Sequence, residues 1–232
     1  MSRIVRRSLG GLGITMGLAL FVAPPAHDRP PPWMNARLRP AARAHALRLE
    51  LTPDEKLALV ASGKAGIPRL GVPPLAFIDG PNGVGHANTH VTAFPNAVNV
   101  AAAWDRRLAR RYGEALGAET TGKGHTLLAA PTINIVRTPK WGRSAETFSE
   151  DPYLAGAMAA EEIQGIQSQH VIAQVKHYVA NNQEIARFGN PLASDAVNVV
   201  VSERALREIY LPAFAAAVGA GHAASVMCAY NR

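Results

Sequence analysis

The chain has 232 residues, enough for one domain of ordinary size or an α/β barrel at the low end of the range. Hydrophobic residues make up 48%, which permits a sizeable core and excludes a wholly disordered chain. The net charge of +7 does not imply a nucleic-acid partner: residues 1–50 hold eight arginines against Asp28 and Glu50, whereas the other 182 residues hold 16 basic and 15 acidic groups and lack the clustered cations that phosphates need.

Arg3, Arg6 and Arg7 precede an apolar stretch from Leu9 to Ala23. This is a basic n-region and an h-region, too short to span a membrane, and it predicts a signal peptide over residues 1–26. The pair Arg6-Arg7 also permits a twin-arginine type. The chain is therefore expected to be exported, with no other membrane association. Pro24, Pro25 and Pro30-Pro31-Pro32 break any helix, and residues 27–44 read as a Pro/Arg-rich linker.

A globular part is expected from residue 45. Thr52-Pro53-Asp54-Glu55 opens a helix, with Thr52 as N-cap, Pro53 at N1 and Glu55 completing a capping box. Leu75–Ile78 reads as a strand running into the turn residues Asp79-Gly80-Pro81-Asn82-Gly83. A second helix follows Trp104 and Asp105 and runs to about Thr121, then a strand over Leu127–Ala130. The long irregular stretch Pro131–Ser149 gives way to a third helix, with Asp151 as N-cap and Pro152 at N1, ending near Gln169. Val171–Lys176 is a third strand, Val199–Val201 a short extended piece, and Ser202 caps a fourth helix through about Ala220. Ala224–Ala229 is a fourth strand. It contains the single cysteine, Cys228, which can form no intramolecular disulfide and is expected to be a buried, inert thiol. Alternating strand and helix imply a parallel sheet, with site residues just after the strands.

Candidate residues fall at those positions. Asp79 is either a turn aspartate bonding its own backbone or an acceptor for adjacent sugar hydroxyls. Arg137–Pro152 packs cations, carboxylates and two aromatics into one loop, which is either a functional loop or a solvated charged one. Lys176-His177 ends an apolar strand, where an ammonium needs a partner unless it snorkels to the surface. Glu184 and Arg187 are spaced for a local ion pair. No nucleophile elbow, phosphate loop or zincin spacing occurs in the globular part, and no metal or cofactor is expected.

Five strings in order are similar to the N-terminal domain of glycoside hydrolase family 3. They are Phe77–Gly83, Arg137–Leu154, Lys176–Glu184, Ser202–Pro212 and Ser225–Asn231. The Lys-His-Tyr-Val-Ala-Asn-Asn form resembles the β-glucosidase branch. The resemblance implies a (β/α)8 TIM-type barrel, incomplete in these residues, over 45–232. It implies hydrolysis of terminal β-D-glucosyl residues, with retention, from β-glucosides or oligosaccharides. It also implies that Asp79, Arg143, Lys176 and His177 bind the terminal sugar, that Glu146 supports Arg143, and that Tyr230 lies close to the nucleophile. The aspartate nucleophile of that family, in a Ser-Asp-Trp-like stretch, and its acid/base have no match within this sequence and are expected beyond Arg232. The resemblance therefore describes a fragment that binds sugar without cleaving it. A β-xylosidase or other family 3 glycosidase, and a non-catalytic sugar-binding module, stay open as alternatives.

Overall fold

A computed structural model describes residues 30–62, 66–85, 88–189 and 197–232. The whole of the expected signal peptide, residues 1–26, lies outside the described residues. The chain divides into two units, Met1–Lys56 and Leu57–Arg232.

The first unit holds a short 3₁₀ turn, Pro32–Met34, and helix α1, Pro40–Glu50. Arg43 Nε donates to the Trp33 carbonyl at 2.8 Å. Helix α1 begins inside the stretch read as linker. Pro40 takes N1, where its missing N–H costs nothing, and the alanines after it favour helix. Helix α2, Pro53–Ser62, starts as expected. Thr52 N donates to Glu55 Oε2 at 2.8 Å and Glu55 N to Thr52 Oγ1 at 3.2 Å, the reciprocal capping box.

The second unit is built on a four-stranded parallel sheet in sequential order. Its strands are β1 (Phe77–Asp79), β2 (Leu127–Ala129), β3 (Ile172–Tyr178) and β4 (Ser225–Cys228). Ile78 pairs with Leu128, Leu128 with Ala173, and Val175 with Val226. Between strands run α3 (Ala97–Ala102), α4 (Arg106–Gly122), α5 (Pro152–Ser168), α6 (Glu203–Ala205) and α7 (Pro212–Gly219). Strands in sequence order joined by helices are the βα arrangement, here with four of the eight strands of a TIM-type barrel. Leu116, Leu128, Phe148, Met158, Ile163 and Val175 fill the space between sheet and helices. No helix among the described residues is long and apolar enough to cross a membrane.

The helix starts follow the capping residues. Asp105 accepts from Arg107 N at 2.8 Å and Asp151 from Tyr153 N at 2.7 Å, satisfying orphan donors of α4 and α5. The expected second helix is preceded by a separate turn, α3, and Trp104 at φ 52° divides it from α4. The expected fourth helix is interrupted by a π-helical turn, Leu206–Tyr210, where Leu211 N bonds the Leu206 carbonyl. Pro212 has no N–H to continue the regular ladder there. The stretch Val199–Val201 is not a strand, though Val199 N bonds the Arg232 carbonyl at 2.8 Å.

Helices α4 and α5 approach closely because each is glycine at the crossing. A Cβ on Gly113 would lie 2.2 Å from the Glu162 carbonyl oxygen, and one on Gly165 2.2 Å from that of Arg110. This packing encloses the Glu162 side chain completely. Neither of its carboxyl oxygens has a partner among the described residues, and burial holds its pKa well above the usual carboxylate range.

The expectation for Cys228 is overturned, because its side chain is exposed. Its side chain lines an open hollow with Tyr178, Phe214, Val218 and Val226, which no further element fills among the described residues.

Candidate functional site

Asp79 ends β1 and Lys176 lies near the end of β3, so the sheet brings together residues 97 apart in sequence. Their side chains form an ion pair. The Lys176 side chain is 1% exposed and the Asp79 side chain 35%, so the ammonium is enclosed while the carboxylate reaches an open hollow. That hollow, about 280 Å³, is lined by Asp79, Asn82, Gly83 and Glu146. Asp79 also accepts from Gly80 N at 3.0 Å. The turn reading of Asp79 is thus realised, and the same side chain is also the partner that the Lys176 ammonium needed. Burial lowers the Lys176 pKa, and the Asp79 charge opposes that fall.

Neighbouring strand residues normally face opposite sides of a sheet. Val175, Lys176 and His177 are nonetheless all buried, because the β3–β4 register breaks between Val175 and Tyr178. That irregularity turns Lys176 and His177 inward together. His177 is then held on every side. Its N–H donates to Asn134 Oδ1 at 2.8 Å, and Asn134 Nδ2 donates to its carbonyl at 2.9 Å. Its ring Nε2 lies 3.0 Å from Arg143 Nη1 and its Nδ1 3.2 Å from Asn134 Oδ1. A guanidinium only donates, so Nε2 must accept, which assigns the proton to Nδ1 and makes the ring neutral. Burial, then the nearby Arg143, Lys176 and Arg187 charges, push the His177 pKa down to about 2.

Arg143 meets Glu146 through two bonds, Nε to Oε1 at 2.9 Å and Nη2 to Oε2 at 2.5 Å. Burial works to lower the Arg143 pKa, but the paired Glu146 outweighs it and the net direction is up. Thr132 Oγ1 steadies the same carboxylate at 3.3 Å. A third pair lies alongside: Arg187 Nη1 is 3.4 Å from Glu184 Oε2, as its spacing predicted. Glu184 Oε1 also accepts from Trp141 Nε1 at 3.1 Å and Asn181 Nδ2 at 3.2 Å. The cluster therefore holds three cations, each matched to one carboxylate, around a neutral histidine. Such a set offers fixed donors and acceptors to a polyhydroxylated ligand.

Tyr230 follows β4 and is 55% exposed. Among the described residues it meets the cluster through Arg187, whose guanidinium lies 5.2 Å from its ring centre. Asn134, Trp141 and the role of Arg187 as a cluster cation were missed from sequence. Asn134 carried no local signal, whereas Trp141, inside the charged loop, and Arg187, three residues from Glu184, did. Another hollow, about 540 Å³, lies elsewhere, lined by Tyr178, Leu211, Phe214, Val218, Val226 and Cys228, and is too apolar for the same ligand. Among the described residues no group of three His, Cys, Asp or Glu side chains could hold a metal ion.

The description "Glycosyl hydrolase family 3 N terminal domain" matches residues 52–232. Beta-glucosidase B of Emericella nidulans is 44% identical over 198 residues, covering 82% of this chain and 23% of that protein. Beta-glucosidase BoGH3A of Bacteroides ovatus is 44% identical over 198 residues, covering 78% of this chain and 26% of that protein. Among solved structures, DesR, a beta-glucosidase from Streptomyces venezuelae in complex with D-glucose, superposes with a TM-score of 0.66 at 42% identity, over 72% of this chain and 20% of that one. A beta-glucosidase from Kluyveromyces marxianus gives 0.73 at 38% identity, over 81% and 23%. The chain thus spans about a quarter or less of the length of these relatives, and over that span it belongs to glycoside hydrolase family 3, through the N-terminal domain.

Proposed function

We propose that this chain supplies the terminal-sugar subsite of a retaining β-glucosidase. Asp79 accepts hydrogen bonds from hydroxyls of the non-reducing glucosyl ring. Lys176 and Arg143 contact the same sugar, the fully engaged ring of His177 and the carboxylate of Glu146 aim Arg143, and Tyr230 stands toward the anomeric carbon. The observation that carries the reading is the Asp79–Lys176 pair, enclosed at its cationic end and open to the hollow at its carboxylate. Relatives named as beta-glucosidases, and a related structure holding D-glucose, support the choice of sugar.

Retaining hydrolysis needs a nucleophilic and an acid/base carboxyl group about 5–5.5 Å apart. Asp79, Glu146 and Glu184 are each paired with a cation. A carboxylate so engaged is a poor nucleophile and a poor acid, so none of the three takes either role. Their work is binding: hydrogen bonds to charged partners contribute about 1.5–3 kcal/mol each. Those that tighten as the ring flattens toward the oxocarbenium-like transition state accelerate the reaction.

Calorimetric titration of the chain with D-glucose tests this. Binding that weakens at least about tenfold in Asp79→Asn is expected from the loss of one such bond. Glucose binding that Asp79→Asn leaves intact would refute it. We further propose export through the Arg3–Ala23 leader, to be checked by N-terminal sequencing of protein from the medium or envelope. A mature N-terminus still at Met1 would refute it.

A further inference from the structure

Asn134 takes no part in the sugar contacts above, yet it is buried and makes three bonds to one residue, His177. Strand-like pairing brings the two together. Lys176 N donates to the Pro131 carbonyl at 3.1 Å and Ile133 N to the Lys176 carbonyl at 2.9 Å, so the segment after β2 runs parallel to the end of β3 and Asn134 falls beside His177. The amide is pinned in one sense. Its Nδ2 meets the carbonyl and its Oδ1 the N–H of the same residue, so turning it over would set donor against donor and acceptor against acceptor. Its own carbonyl accepts from the buried Thr147 hydroxyl. Oδ1 is thus a fixed acceptor, and its second lone pair faces the ring Nδ1 of His177 at 3.2 Å.

The charges around the ring do not settle where its proton sits. Lys176 and Arg187 favour a neutral imidazole without choosing between its two tautomers. Arg143 faces Nε2, but its long side chain can swing aside, whereas Asn134 is held by backbone on both sides. We infer that Asn134 is a positioning residue: by accepting from Nδ1 it puts the proton there, leaves Nε2 bare as the acceptor for Arg143 Nη1 at 3.0 Å, and so aims the guanidinium. Three of the five N–H groups of Arg143 are then committed, those on Nε and Nη2 to Glu146 and one on Nη1 to His177, which leaves two for hydroxyls of a ligand. With the proton on Nε2 instead, two donors would face each other and Arg143 would leave its place. The inference rests on the terminal-sugar reading above for what Arg143 binds, and on the bonds alone for the tautomer.

Two readouts on the whole chain test it: nitrogen-15 spectra of the His177 ring, identified by the loss of its signals in His177→Gln, and calorimetric titration with D-glucose. The unaltered chain is expected to show a neutral ring protonated at Nδ1. Asn134→Ala removes the acceptor, so the Nε2-protonated form should take over and glucose should bind about tenfold more weakly, the worth of one bond to a charged group. Asn134→Asp keeps an oxygen opposite Nδ1 and loses the bond to the His177 carbonyl. It is expected to keep the Nδ1 proton and to hold glucose within about threefold of the parent, however much stability it loses, which a role in packing alone would not allow. An Nε2-protonated ring in the unaltered chain, an Nδ1 proton that survives Asn134→Ala, or a glucose affinity that ignores the changed tautomer overturns the inference. So does an Asn134→Asp variant that loses tautomer and affinity as Asn134→Ala does. Should circular dichroism show that Asn134→Ala does not fold, the unaltered chain and Asn134→Asp still decide the matter. No glucose binding by the unaltered chain overturns the terminal-sugar reading and the role of Arg143 with it, while the nitrogen spectra alone then decide whether Asn134 places the proton.

Discussion

Replacing Asp79 by asparagine removes the carboxylate and leaves the Lys176 ammonium, with 1% of its side chain exposed, without its counter-ion. Breaking a buried pair from one side costs about 3–5 kcal/mol. Asp79 is 35% exposed, so solvent reaches the pair from its side and the lower end of that range applies. For a unit of this size about 3 kcal/mol corresponds to a fall in Tm of about 6–12 °C. Asp79→Asn/Lys176→Met removes both charges and should recover much of the loss, giving a coupling energy above about 1 kcal/mol in a double-mutant cycle. Urea unfolding followed by far-ultraviolet circular dichroism measures it. The pH dependence supplies a second check. Lys176 has a folded pKa below its unfolded value, so between the two the unfolded chain binds more protons and stability rises with pH. Without Asp79 that pKa falls further, and the deficit of Asp79→Asn should shrink as pH is raised from 7 toward 10. An Asp79→Asn variant within 0.5 kcal/mol of the parent, or a double variant less stable than either single one, would refute the reasoning (threshold about that of an ordinary surface change).

Three further outcomes are expected. Glu162 stays protonated in the folded chain while it ionises in the unfolded one, so it makes stability fall as pH rises above about 4.5, by about 1.4 kcal/mol per pH unit; Glu162→Gln should flatten that slope in urea melts at pH 5–7, and an unchanged slope would count against the buried acid. His177 has the opposite sign: its folded pKa of about 2 lies below the unfolded 6.5, so its share of stability is full above 6.5 and is lost as pH falls toward 2. Nitrogen-15 shifts should report a neutral ring protonated at Nδ1 at pH 5, and an imidazolium signal there would contradict the Arg143 contact. Gly113→Ala should lower stability by at least about 1–3 kcal/mol in thermal melts, because the added methyl meets the backbone of α5 rather than a yielding side chain.

Much of the architecture was legible from local chemistry. Thr52, Asp105 and Asp151 sit where a short polar side chain satisfies the first N–H groups of a helix, and that interaction spans only two or three residues. Arg143 with Glu146, and Glu184 with Arg187, were likewise within reach of one turn. Site residues placed just after strands followed from the alternation of short strands and helices. The helix beginning at Pro40 was hidden by the prolines and arginines around it, although its alanines carried the signal.

The sequence by itself determined which residue types stand at strand ends and where helices start, because those are properties of neighbours along the chain. Tertiary structure alone decided the rest. The register break in β3 makes Lys176 and His177 both face inward, against the alternation a strand would otherwise impose. The clamp of Asn134 on His177 spans 43 residues and depends on how an irregular loop lies over β3. The close crossing of α4 and α5 seals in Glu162, and the unfilled hollow at β4 leaves Cys228 exposed, which its apolar surroundings in sequence had marked as buried. Hydropathy records what a residue would prefer, while burial depends on whether another element comes to cover it.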